Sequence, residues 1–186
     1  MSLPVKEQRY TYADYYSWDD GGRWELINGV VYAMSPAPTS GHQAVSSNLH
    51  GQLYNFLKGK PSKVFSAPFD VRLNGFGDND EDIVQPDLVV VCDRSKLDDK
   101  GCNGAPDMVI EILSPSTASK DRVLKFNLYQ RAGVREYWIV DPESKTLSAH
   151  VLTDGRYMTG AYGEAEGAPV HVLEGCVIDL SDVFIW

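Results

Sequence analysis

The chain of 186 residues contains no apolar run approaching the roughly 20 residues that a membrane helix needs, which argues against a membrane-spanning protein. Its first residues, MSLPVKEQRYTYADYY, lack a basic segment followed by an apolar stretch, so no signal peptide is expected. Cysteine is scarce: Cys92, Cys102 and Cys176 form an odd set without CxxC spacing. That speaks against a disulfide framework and for reduced thiols in a cytoplasmic setting. Positive charge is also in short supply. Lys and Arg number 17 against 26 Asp and Glu, a net charge of −9. Phosphate affinity comes largely from Lys and Arg, so the balance argues against a protein that coats nucleic acid non-specifically. It does not exclude an enzyme whose carboxylates are offset by a metal ion. GxGxxG, Walker, GxSxG and HExxH motifs are all missing. The acidic run Asp78-Asn79-Asp80-Glu81-Asp82 resembles the start of a calcium loop. However, Ile83 stands where the glycine belongs and Val89 where the closing Glu belongs, so a solvated acidic turn is expected.

What is present reads as an ordinary globular chain, 43% apolar and 23% charged, long enough for one compact domain with a substantial core. Residues 24–34 read as a hairpin turning at Asn28-Gly29. Val45, Leu49, Leu53 and Leu57 recur every four residues, the apolar face of a helix over 41–58 that Gly59 and Pro61 stop. A strand is expected over 63–73. Two nearly continuous apolar segments follow at 84–93 and 104–114, as in central strands covered on both faces. A second helix is expected over 117–132, capped by Ser116 or Thr117 and stopped by Gly133. Residues 134–141 and the tail read as further strands. The order gives an α/β or α+β sheet sandwich.

Glu111 is the most informative residue. Every neighbour from Met108 to Leu113 is apolar, so its carboxylate should be buried and must be paired, hydrogen-bonded or bound to a cation. Asp87 opens the neighbouring apolar strand and shares parity with Val89 and Val91. Asp107 has the same local context but stands four residues from Glu111 on one strand, about 13 Å away. One ion needs its oxygen ligands within about 2.6 Å, so Asp107 and Glu111 cannot share it, whereas Asp87 and Glu111 on adjacent strands can. On the second helix, Asp121, Leu124, Lys125, Leu128, Tyr129 and Ala132 fall in one stripe facing the sheet. A core-facing lysine needs an internal partner, and carboxylates on the sheet supply one. An ordinary Asp121–Lys125 pair at the stripe's edge is the alternative. Glu25 lies in the apolar hairpin between Trp24 and Leu26; an exposed alternating position is the plainer reading there. His42 opens the first helix, either as a surface residue or as a contact to substrate or water. His50, His150 and His171 have no metal-ligand spacing.

Together these residues resemble the PD-(D/E)-x-K nuclease superfamily, and more closely its family of restriction-endonuclease-like proteins abundant in cyanobacteria, long classed as a domain of unknown function. The similar stretches are ELINGVVYAMSP, GHQ at the helix start, APFDVRL, VQPDLVVVCD, GAPDMVIEILSPST and DRVLKFNLYQRAGVREYWIVDP, spanning residues 24 to 142. The resemblance implies a restriction-endonuclease-like fold: a central mixed sheet flanked by helices, with an N-terminal hairpin and extra C-terminal strands, residues 1–186 forming one nuclease domain. It places the superfamily's aspartate at Asp87 and its second acid at Glu111. It departs at the lysine, because Leu113 stands two residues after Glu111; the family's lysine comes from the following helix and points to Lys125. Glu25 resembles the family's N-terminal acid.

The implied activity is metal-dependent hydrolysis of nucleic-acid phosphodiesters, with DNA the expected substrate. Asp87, Glu111 and the Ile112 carbonyl would hold Mg²⁺ or Mn²⁺, with Glu25 a further candidate ligand. Lys125 would position water or stabilise phosphoryl charge, with Gln85, Asp121 and His42 in support. A homodimer is expected by analogy with nucleases that cut both strands. One rival is a catalytically inactive module that binds nucleic acid or protein on a nuclease scaffold. Another is a hydrolase acting on small phosphodiesters or sugars through paired carboxylates.

Overall fold

The tight turn at Asn28-Gly29 forms as its dipeptide predicts. Both residues take positive φ, 52° and 72°, the geometry of a type I′ turn whose twist matches the flanking strands. Glycine is needed at position 29 for space as well, since a Cβ there would stand 2.8 Å from Cβ of Arg9. The computed structural model describes residues 8–34, 37–114 and 120–185, with the side chains of Lys120 and Asp121 outside that description. Among the described residues the order is α1 (Tyr12–Tyr16), β1 (Trp24–Ile27), β2 (Val30–Ala33), α2 (Ser40–Leu57), β3 (Lys63–Ser66), β4 (Val71–Arg72), β5 (Ile83–Val84) and β6 (Leu88–Val91). Then come β7 (Leu97–Asp98), β8 (Gly101–Asn103), β9 (Met108–Ile112), a π-helical turn (Lys120–Lys125) and α3 (Phe126–Ala132). The chain continues through β10 (Glu136–Asp141), β11 (Thr146–Thr153), β12 (Arg156–Gly163), β13 (Gly167–Pro169), β14 (Val177–Asp179) and α4 (Leu180–Val183).

These strands build two six-stranded mixed sheets. The smaller strands run β2-β1-β5-β4-β8-β7; the main sheet runs β12-β11-β10-β9-β6-β3; β13 and β14 form a separate ribbon. In the main sheet only β9 and β10 pair in parallel, and the segment that joins them carries α3. Two expectations need correction here. The strand expected over 63–73 is two strands, β3 in the main sheet and β4 in the other. The strand expected from 84 to 93 is likewise divided into β5 and β6, again in different sheets. Pro68 and Pro86 lie at the two breaks, and neither has an N–H to give to a ladder. At each of these two breaks the chain passes from one sheet to the other. Asp87 sits at the break between β5 and β6.

The main sheet is covered on both faces, as its continuous apolar strands predicted. On one face, Leu88, Val90, Met108, Ile110, Ile112, Trp138 and Val140 pack against the Val45, Leu49, Leu53 and Leu57 row of α2. The tail residues Ala168, Val170, Ile178, Leu180 and Val183 join the same core. On the other face, Val89, Val91, Val109, Leu113 and Tyr137 meet Leu128 and Tyr129 of α3 and Ile27, Val71, Val84 and Cys102 of the second sheet.

The second helix differs from expectation at its start. The caps Ser116 and Thr117 lie outside the described residues, and residues 120–125 wind as a π-helical turn before α3 begins. Gly133 ends α3 at φ 84°, as its position predicted. Phe126 on the helix's other side is covered by the rings of His150 and Tyr157 at 5.0 and 5.2 Å. Val123 remains largely exposed. The acidic turn is solvated only in part: Asp78, Asn79 and Glu81 reach solvent, whereas Asp80 and Asp82 are buried. Asp80 accepts the N–H of Asn74 at 2.8 Å and of Asp82 at 3.0 Å. Asp82 accepts the N–H of Asn28 at 2.6 Å and the Arg131 guanidinium at 3.2 Å. Short acidic side chains capping turn N–H groups are worth more buried here than in water, because those donors would otherwise lack partners.

Candidate active site

Glu111 occupies the middle of β9 and is 4% exposed, as its apolar neighbours required. Its Oε1 accepts two hydrogen bonds, from Lys125 Nζ at 2.8 Å and from the Tyr129 hydroxyl at 2.8 Å. Lys125, also 4% exposed, closes a second ion pair with Oε1 of Glu25 at 2.9 Å. Glu25 is 1% exposed, so the plainer reading of an exposed strand position does not hold. Its Oε1 also accepts the Gln85 N–H at 3.2 Å. One ammonium thus bridges carboxylates from two different sheets, and each partner is rescued from the cost of burial by the others. Burial and the neighbouring Glu111 carboxylate push the Tyr129 hydroxyl well above its ordinary pKa, so it remains a donor at every physiological pH.

Asp87 stands one residue before β6. The β6–β9 register pairs Leu88 with Ile110. The ladder ends there, and Asp87 lies just past it. Oδ2 of Asp87 accepts the Ile112 N–H at 2.8 Å. His42, in the first turn of α2, places Nε2 at 3.1 Å from the Ile112 carbonyl and 3.3 Å from Asp87 Oδ2. A carbonyl oxygen can only accept, so Nε2 carries the proton. The surface reading of His42 is replaced by a buried ring aimed at the end of β9. Its backbone position follows from Thr39, whose hydroxyl caps α2 by accepting the His42 N–H at 3.2 Å.

The other residues singled out from sequence fall as follows. Gln85 gives the acids only its backbone N–H; its side chain binds Arg23 at 2.8 Å, Asp70 at 2.8 Å and the Tyr15 hydroxyl at 3.0 Å. The Asp121 side chain lies outside the described residues. Asp107, set aside as a ligand on distance, accepts the Cys92 N–H at 2.7 Å and pairs with Arg135 at 3.1 Å. Tyr129 is the site residue that sequence reasoning placed in the core without a chemical role. The available signal was a tyrosine four residues after Lys125 on the same buried face, whose hydroxyl had to find a partner.

Three carboxylates against one ammonium leave an excess of two negative charges, which a divalent cation would offset. Among the described residues no group of three or more His, Cys, Asp or Glu side chains is arranged to hold a metal ion. Two acids on adjacent strands with a backbone carbonyl beside them are hard oxygen donors of the kind Mg²⁺ takes, with water completing its shell. The residues fit a magnesium-type site and do not fit zinc, which favours nitrogen and sulfur.

Fold and site together define a protein of the nuclease-like α/β class. The chain belongs to the family whose model, described as "Uma2: Putative restriction endonuclease", matches residues 12–181. A protein of Synechocystis sp. strain PCC 6803, described as uncharacterized protein slr1290, is 27% identical over 149 residues, covering 78% of this chain and 76% of that one. A crystal structure from Anabaena variabilis, described as a "putative nuclease belonging to DUF820", superposes with a TM-score of 0.73. It is 20% identical and covers 94% of this chain and 97% of its own, so the fold is shared.

Proposed function

We propose that this chain is an endonuclease that hydrolyses nucleic-acid phosphodiesters, DNA above all, with Mg²⁺ or Mn²⁺ as cofactor. Residues 1–186 act in it as one nuclease domain. The observation that carries this reading is the bridge of Lys125 between buried Glu111 and Glu25, with Asp87 bound to the N–H of Ile112, the residue after Glu111. Asp87, Glu111 and the Ile112 carbonyl are the metal-holding groups. A bound divalent ion would acidify water and polarise the scissile phosphate.

The chain's own residues do the rest. Lys125, held by Glu25, presents a cation to charge developing on the phosphoryl oxygens. Tyr129 fixes Glu111 from the opposite side to the sheet. His42 holds the end of β9, fixing the Ile112 carbonyl relative to Asp87. Glu25 serves mainly to anchor Lys125, and is a further candidate for a second ion or a metal-bound water. Gln85 supports Glu25 through its N–H, and Asp121 joins as an outer supporting acid. Three free cysteines suit a reducing cytoplasm, and two copies of the chain would serve to cut both strands.

The test pairs Mn²⁺ calorimetry with plasmid cleavage for wild type, Asp87→Asn and Glu111→Gln. Binding at micromolar to millimolar strength, removed along with cleavage by either substitution, is the expected result. Full cleavage by Glu111→Gln would sink the assignment. A second reading, a non-catalytic binding module, is favoured by one observation: Glu25 and Glu111 already have an internal partner in Lys125. Wild type that binds nucleic acid but neither metal nor cleaves would move that reading to first place.

A further inference from the structure

Asp87, about a quarter exposed, is also part of the wall of a cleft of about 230 Å³ that leads away from the buried acids. Its other walls are Gln43, Ser46, Ser47 and His50 of α2 and Ser66 at the end of β3. The α2 residues recur at i, i+3, i+4 and i+7, so they are one face of the helix, beside the Val45–Leu57 row that enters the core. Tyr54 continues that face four residues beyond His50. It is 55% exposed, and its ring stacks on His50 with centroids 6.1 Å apart and planes 15° from parallel. Beyond it, Lys58 and Lys63 are exposed, while Lys60 turns to the helix's other side, its ammonium 3.1 Å from the centre of the Phe56 ring. From Gln43 to Tyr54 the helix rises about 17 Å at 1.5 Å per residue, the length of about five stacked nucleotides at 3.4 Å each.

We propose that this face of α2 is the track along which one unpaired polynucleotide strand reaches Asp87. The proposal rests on the nuclease reading above and names its substrate form. Among the described residues the cleft is lined by three hydroxyls, an amide, His50, Ala67 and Asp87, with no Lys or Arg, so the strand near the acids is held by neutral hydrogen bonds. That is what a site already meant to hold a cation requires. The His50–Tyr54 pair offers a flat aromatic surface at the outer end, and bases stack on such a surface only when they are unpaired. The lysines beyond it meet the phosphates that trail away. In this arrangement each copy of the chain takes a single strand, whether from single-stranded nucleic acid or from a locally opened duplex.

The probe is a fluorescein-labelled 12-residue oligothymidylate, its anisotropy followed in EDTA so that no cleavage occurs. A uridylate of equal length and a blunt 12-base-pair duplex run alongside. Wild type should bind the two single strands more tightly than the duplex. Tyr54→Ala should weaken them about ten-fold, and Ser47→Glu, which puts a carboxylate into the cleft, at least as much. Both positions are on the outer face of α2, so melting temperature should not change, and Tyr54→Ala, remote from the acids, should also leave Mn²⁺ binding unchanged. Single-strand binding undiminished in both variants, or duplex bound as tightly as single strand, overturns the track. If plasmid cleavage is intact in both variants as well, the track fails alone and the nuclease reading stands. A wild type that neither binds oligonucleotide nor cleaves plasmid removes both.

Discussion

Tyr129 shows how much a single hydroxyl can matter at a buried carboxylate. Its hydrogen bond reaches the same oxygen of Glu111 that Lys125 holds, in a site with almost no solvent. Tyr129→Phe keeps the ring and removes only that donor. The expected loss is about 1–3 kcal/mol of stability, read as a lower denaturant midpoint with an unchanged slope. Cleavage should fall as well, because Glu111 then has one fixed partner fewer. Equal stability and activity in the variant would show that the hydroxyl merely fills space. His150 carries a prediction of a different kind. Burial holds its pKa below the ordinary value for histidine, and its Nε2 has no hydrogen-bond partner in the structure. The folded protein therefore takes up this proton less readily than the unfolded chain does. Stability is full above the unfolded pKa, about 6.5, and declines as pH falls below it, by at most about 1.4 kcal/mol per pH unit for one proton. Urea melts between pH 7 and 5 should show this decline, and it should shrink in His150→Phe; an identical profile in the variant would assign the acid sensitivity elsewhere.

At the scale of elements, the site depends on how α3 and the β1–β2 hairpin are fixed to each other, because one carries Lys125 and the other Glu25. Asp82 is the link. It accepts the N–H of Asn28 in the hairpin turn and the guanidinium of Arg131 in α3, and Arg131 also donates to the Asn28 side chain at 2.9 Å. Asp82→Ala should cost about 1–3 kcal/mol, the penalty for a buried backbone donor left without its acceptor. Cleavage should drop more than stability alone explains, since the Lys125–Glu25 distance is no longer held. A variant destabilised but fully active at a temperature where it is folded would confine Asp82 to a structural role. The π-helical turn before α3 belongs to the same scale. A wider turn displaces the side chains that a 3.6-residue repeat would place, and Lys125 is its last residue.

At the scale of the molecule, the two sheets meet where the chain crosses between them, and the acids gather at that junction. Glu25 comes from one sheet, Glu111 from the other, and Asp87 from the passage between them at β5–β6. No helix among the described residues is long and apolar enough to cross a membrane. The expected assembly is a homodimer, so light scattering on a sizing column should give twice the 20.6 kDa of the chain. A monomeric mass at working concentration would mean that one site acts at a time.

The hairpin, the α2 core row, the buried β9 and the glycine that ends α3 were all legible from periodicity and turn chemistry. So were Glu111, Asp87 and Lys125, because a charged residue inside an apolar pattern betrays itself locally. Glu25 was suggestive in the same way but fitted an exposed strand position equally well, and the resemblance to a nuclease family joined it to the others. Other features could not be read that way. Strands 63–73 and 84–93 look continuous in sequence, yet each divides between two sheets, since a proline marks a break without saying where the chain goes next. Asp82 looked solvated because its partners, Asn28 and Arg131, are distant in sequence. The hydroxyl of Tyr129, the ring of His42 on the Ile112 carbonyl and the cleft beside α2 were invisible for the same reason. Local pattern determines which side chains must be buried; only the long-range pairing of strands and helices decides which of them meet.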